Sequence, residues 1–146
     1  MEVWEVVARE SIRDLVARYN ANGDSGRFDQ VQALFGPDAT MDVGGTAYEG
    51  HEAIRTIFTS ARSDLTGAAG PSYLRHFTAT LQIDVLGRTQ ARSRCYYAVI
   101  MEHGLDHWGR YLDEFGILDG AWCFTRRRVL TDGATPGGWA ASLPST

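Results

Sequence analysis

The hydrophobic period of this chain changes once, and that change limits the fold more than any other feature. Up to about Ala61, apolar residues recur at three- and four-residue spacing; from Phe77 to Leu130 they alternate with polar residues. The first pattern puts an apolar stripe on a helix, and the second puts an apolar face on a strand. Helices grouped first and strands grouped afterwards describe an α+β domain, not alternating βαβ units.

Boundaries follow from breakers and turn residues. From Glu2 to about Asn20, the residues Val6, Ile12, Leu15, Val16 and Tyr19 share one helical stripe, and Asn20, Asn22 and Gly23 read as its stop. A second helix begins at Asp24 or Ser25, carries Phe28, Val31, Leu34 and Phe35 on its apolar side, and ends at Gly36-Pro37-Asp38. Ala39 to Tyr48 reads as a strand or hairpin. Gly50 opens a third helix with Ile54, Ile57, Phe58 and Ala61 on one face, and residues 63–72 read as a loop.

Four strands complete the chain. Phe77 to Val85 alternates up to a Gly87-Arg88 turn, and Thr89 to Glu102 puts Ala91, Ser93, Cys95, Tyr97, Val99 and Met101 on one face. Gly104-Leu105-Asp106 turns into a strand from about His107 to Leu118, and Asp119-Gly120 signals a tight hairpin into Ala121–Leu130. The expected architecture is a strongly bent antiparallel sheet with three N-terminal helices over its concave face, enclosing one pocket. Residues 1–130 form one domain, and 131–146 are a Gly- and Pro-rich tail.

Composition removes several function classes. A net charge of −4 argues against nucleic-acid binding, and Arg126-Arg127-Arg128 reads as a solvated strand face. No apolar run approaches the roughly 20 residues that span a bilayer. Cys95 and Cys123 lack CxxC spacing and read as buried thiols, so a cytoplasmic location is expected. Metal-site spacings, phosphate loops, dinucleotide fingerprints and nucleophile elbows are all missing, so neither metal nor cofactor is expected.

Acid–base chemistry is what remains. Asp24, just before the second helix, suits an N-cap, a role that still leaves one oxygen for a pocket. Tyr19, five residues earlier on the first helix, is either core or a hydroxyl donor into the same space. His76 heads the long third-region strand and has the side chain best suited to moving protons near neutrality. It alternates out of phase with Phe77, Ala79 and Leu81, so either the cavity lies on the Thr78 side or the strand starts irregularly. Tyr97, Tyr111, Asp113 and Trp122 are candidates for the lining, each also readable as sheet packing. His51, His103 and His107 carry weaker signals at a helix start, a turn and a strand.

The stretches IRDLVARYNANGDSGRFDQVQALFGPDATMDVGGTAYEGHEAIRTIF, RHFTATLQI and WGRYLDEFGILDGAWCFTRRRVL resemble SnoaL-like proteins of the nuclear-transport-factor-like cone-fold superfamily. The resemblance runs from about Val7 to Leu130 and is nearest to the dehydratase-like branch (scytalone dehydratase, bile-acid 7α-dehydratase, hexachlorocyclohexane dehydrochlorinase). It implies that Asp24 and His76 are a catalytic pair and that Tyr19 assists them. It also implies a cofactor-independent lyase, such as a dehydratase, acting on a small apolar cyclic substrate of steroid or polyketide type, and a homodimer or homotrimer. Gly23 stands directly before Asp24, where scytalone dehydratase has tyrosine, so the leaving-group donor stays open. Two alternatives share the scaffold: a ketosteroid-isomerase or polyketide-cyclase type of isomerase using Asp42 or Asp113 as base, and a non-catalytic ligand-binding or assembly domain.

Overall fold

The computed structural model describes residues 1–66 and 73–143; the expected loop falls largely on 67–72, outside them. Three helices lie over a curved, unclosed six-stranded sheet. They are α1 (Val3–Asp24), α2 (Phe28–Gln32) and α3 (Gly50–Leu65). The strands are β1 (Phe35–Val43), β2 (Thr46–Glu49), β3 (Arg75–Val85), β4 (Gln90–Met101), β5 (Gly104–Leu118) and β6 (Ala121–Ala134), in the order β2-β1-β6-β5-β4-β3. All neighbours are antiparallel except β1 and β6, which run parallel.

The end of α1 differs from the sequence expectation, and the difference sets up the site. The helix does not stop at Asn20 or Gly23 but continues to Asp24. The terminator is Gly26, at φ +73°: its N–H bonds to the Gly23 carbonyl (3.2 Å), and the Arg27 N–H bonds to the Asn22 carbonyl (2.9 Å). This is the paired closure of a Schellman motif, which needs a left-handed residue. Asn20 and Asn22 are buried and have tertiary partners: Tyr111 Oη donates to Asn20 Oδ1 (3.3 Å), and Arg27 Nε donates to Asn22 Oδ1 (2.8 Å). Those bonds override the weak helix propensity of asparagine. Asp24 is therefore the last helical residue, and the cap position of α2 is Arg27.

Other boundaries move for similar reasons. The second helix is only five residues long, and Phe35 and the Gly36-Pro37-Asp38 stretch belong to β1. Gly44 and Gly45, both at positive φ, close a two-residue hairpin between β1 and β2. In β5 the strand starts at Gly104, where a turn was expected, and β6 runs to Ala134, beyond Leu130. After β6 the chain folds back, and Trp139 packs against the core.

The concave face is close-packed where β5 meets β6. A Cβ on Gly109 would sit 1.9 Å from the Leu130 carbonyl oxygen and 2.9 Å from the Tyr97 ring. Backbone cannot yield as a flexible side chain can. Gly109→Ala is expected to cost at least about 1–3 kcal/mol of stability, read as a lowered urea midpoint at unchanged m-value.

Candidate active site

His76 lies on the concave face because β3 contains a bulge. Between Ala79 and Gln82 the strand gains one residue on β4, and Thr80 takes a left-handed φ of +57°. One extra residue exchanges the two faces of a strand. Ile83 and Val85 thus point into the core beyond the bulge, whereas before it the even-numbered His76 faces inward and Phe77 is 60% exposed. The phase conflict in the sequence is resolved by this irregularity, on the Thr78 side.

Asp24 reaches His76 twice. Its Oδ2 accepts the His76 backbone N–H at 2.9 Å, and its Oδ1 lies 2.6 Å from His76 Nδ1. A carboxylate at a helix C-terminus opposes the helix dipole, costing roughly 0.3–1 kcal/mol. Two charge-assisted bonds to one residue offset that cost. They also define the imidazole: with Nδ1–H donating to Asp24, Nε2 carries the free lone pair.

The His76 side of this pair lines a cavity of about 470 Å³ between α1, α3 and the sheet. Its walls are mostly apolar, from Met41, Val43, Ile57, Phe58 and Val129, with Tyr19, Tyr97, His107 and Tyr111 added from three elements. The size and lining suit a ligand of a few rings. Asp24 is the single carboxylate on the wall among the described residues.

The expected site residues separate into two groups. Tyr19, Asp24, His76, Tyr97 and Tyr111 all line the cavity. Tyr97 stacks on Tyr111 with ring centroids 4.6 Å apart, and its hydroxyl shares a hydrogen bond with Thr131 Oγ1 at 3.3 Å. Tyr19 points its hydroxyl at Met41 Sδ, 3.8 Å away. Burial, opposed by the Arg127 charge, pushes its pKa up to about 12, so it is a neutral phenol throughout the physiological range.

Asp113 and Trp122 do not line the cavity. Asp113 is fully buried and receives Arg127 Nε and Nη2 at 2.7 and 2.8 Å. The guanidinium lies 4.1 Å from the Tyr19 ring centroid and 3.9 Å from that of Tyr111. Arg127 was expected on a solvated strand face; it is instead the base of the aromatic floor. Trp122 pairs with Ile117 at the far end of the β5–β6 hairpin. Asp42 is held by Arg126 at 2.7 Å.

One feature was passed over in the sequence: Asp106 beside His107. Asp106 is completely buried in β5, accepting from His107 Nδ1 (2.7 Å), the Trp139 N–H (2.7 Å) and the Ala140 N–H (3.1 Å). Asp106 sits at the start of the strand in a stretch that reads as a turn, which gives little warning of this; adjacency of Asp and His was the available signal. Burial alone would raise the Asp106 pKa, but bonds from His107, Ala140 and Trp139 together hold it below the carboxylate range. Burial likewise holds His107 below the usual 6.5, against the pull of Asp106.

Both shifts have the same sign for stability. The unfolded chain binds protons that the folded site resists, so stability is lost as pH falls, first below about 6.5 through His107 and then below 3.8 through Asp106. Urea midpoints measured between pH 8 and 5 should fall with pH, and His107→Phe should flatten that slope.

Among the described residues, no group of three His, Cys, Asp or Glu side chains converges as a metal site, and no helix is long and apolar enough to cross a membrane. Cys95 and Cys123 are buried free thiols.

The family model described as "SnoaL-like domain" matches residues 4–128. No curated protein sequence matches. Among solved structures, a candidate scytalone dehydratase from Novosphingobium aromaticivorans is similar at 22% identity and a TM-score of 0.79, over 92% of this chain and 91% of that one. A type 2 hexachlorocyclohexane dehydrochlorinase (LinA) is similar at 15% identity and a TM-score of 0.78, over 99% and 98%. The β subunit of a candidate aromatic-ring-hydroxylating dioxygenase from N. aromaticivorans is similar at 19% identity and a TM-score of 0.72, over 90% and 93%. At these identities the likenesses show a shared fold, which hosts dissimilar roles.

Proposed function

The chain belongs to the SnoaL-like domain family, and on that footing we propose that it is a cofactor-independent lyase, a dehydratase of small, largely apolar cyclic substrates. The observation that carries this reading is the Asp24–His76 pair on the wall of a mostly apolar cavity.

The steps balance without a further reagent. His76 Nε2 takes a proton from a ring carbon beside a carbonyl, and Asp24 stabilises the imidazolium. The C–O bond at the neighbouring carbon then breaks, a C=C bond forms, and the imidazolium returns its proton to the departing hydroxyl, which leaves as water. Tyr97, aided by Tyr19, donates hydrogen bonds from neutral phenols to developing negative charge on oxygen. Tyr111 and the apolar wall hold the ring, and the low dielectric strengthens each of these interactions.

The isomerase reading is weaker on this geometry. It needs a free carboxylate base in the cavity, whereas Asp42 and Asp113 are committed to arginines and Asp24, the one carboxylate on the wall among the described residues, is bonded through both oxygens to His76. A purely binding or assembly domain would leave the inward-facing Asp24–His76 pair without a use. The test is product mass after incubation with cyclic β-hydroxyketones of two and three fused rings. Loss of one water is expected; products of unchanged mass would replace the dehydratase by an isomerase.

A further inference from the structure

A second imidazole faces the same cavity, and the elimination just described does not use it. His76, Val99 and His107 are paired in one row across β3, β4 and β5, so both histidines project from the concave face two strands apart. Two strand spacings are roughly 10 Å. Tyr97 lies between them, its ring centroid 6.2 Å from that of His76 and 6.0 Å from that of His107.

The two rings are oriented alike. Nδ1 of His107 is committed to Asp106, and Nε2 has no hydrogen-bond partner among the described residues although the ring lines the cavity. Asp106 is itself fixed: two backbone N–H groups of the returning C-terminal segment and His103 Nε2 (2.9 Å) occupy its oxygens. A carboxylate so held accepts the His107 Nδ1 proton and fixes the tautomer, leaving a lone pair on Nε2. Burial keeps the ring neutral at pH 7, so this nitrogen accepts hydrogen bonds and does not donate them.

A fixed acceptor in an apolar cavity selects a donor. We propose that His107 Nε2 receives the O–H of a hydroxyl that the substrate keeps through the reaction, so that the site takes hydroxylated rings, phenols or cyclic alcohols, in preference to unsubstituted or O-alkylated ones. The inference rests on the reading of this cavity as the substrate site. It assigns His107 to recognition and leaves proton abstraction to His76. A ring spanning the two histidines presents its acidic C–H at one edge and its retained hydroxyl at the other. An acceptor left without its donor in such a site costs about tenfold or more in affinity, which is the usual basis of selection by hydroxyl groups.

The experiment is binding of 2-naphthol and of its methyl ether, 2-methoxynaphthalene, to the intact protein by calorimetry or fluorescence quenching. The wild type is expected to favour 2-naphthol by about tenfold. His107→Phe, which keeps the ring shape, should bind both probes equally, and His107→Gln, which restores an acceptor, should recover part of the preference. His76→Phe should keep it. Equal binding of the two probes by the wild type, or a preference that survives in His107→Phe, overturns the proposal. Failure of both probes to enter the cavity overturns it together with the reading of the cavity as a substrate site. An inactive His76→Ala protein that still discriminates the probes leaves recognition and catalysis separately established.

Discussion

His76→Ala is expected to lower kcat by about 10²–10⁴-fold on any substrate the wild type converts, with little change in KM. The variant removes the imidazole that Asp24 holds on the cavity wall, and its small size leaves binding space intact. Asp24→Asn should fall in the same range for a separate reason. An amide donates to Nδ1 where the carboxylate accepted, and this drives the imidazole to the tautomer whose Nε2 carries hydrogen and can no longer act as a base. Asp24→Asn also relieves an unfavourable charge at the end of α1. Its unfolding midpoint should therefore stay close to that of the wild type, and a lost rate is then chemical. Full activity in either variant removes the proposed mechanism.

Arg127→Met is expected to cost about 3–5 kcal/mol of stability, the largest single-residue effect outside the hydrophobic core. The guanidinium and the Asp113 carboxylate are both completely buried, with Ser93 Oγ also donating to Asp113 at 3.3 Å. Removing one charge strands the other in a low dielectric. Burial works against the Arg127 charge, but the neighbouring Asp113 outweighs it, so the guanidinium stays charged. The double variant Arg127→Met/Asp113→Leu should be far less destabilised than the sum of the two single variants, because no lone charge remains. Denaturant unfolding of all three measures the coupling; additive losses would show that the two side chains do not act as a pair. Losing the guanidinium also takes away the support beneath Tyr19 and Tyr111, so ligand binding should weaken in the same proteins.

Much of this was legible in the chain. The change of period gave the order of helices and strands, and the inner face of β4, from Ala91 to Met101, is the alternating set read directly from the sequence. Asp24 and His76 were singled out by residue type and family pattern, and the fold brings them into contact. What the sequence hid was conformational or tertiary. Gly23 and Gly26 are equally good helix terminators on paper, and only the Asn22 carbonyl bonding to Arg27 selects the second. The bulge at Thr80 has no glycine to announce it, so the facing of His76 could not be settled from alternation. Arg127 sits in a basic triplet that resembles a solvent face; its burial depends on Asp113, which lies in another strand. His107 gained its meaning only when the returning segment at Trp139 and Ala140 closed over Asp106.

The central claim is that Asp24 holds His76 as a base with Nε2 open to the cavity, and it is testable without a substrate. Long-range ¹H–¹⁵N spectra of the imidazoles resolve which ring nitrogen bears hydrogen. At neutral pH, His76 should show a protonated, strongly hydrogen-bonded Nδ1 and a bare Nε2, and the pattern should reverse in Asp24→Asn. A wild-type His76 with hydrogen on Nε2, or one whose spectrum is unaltered by Asp24→Asn, would contradict the claim.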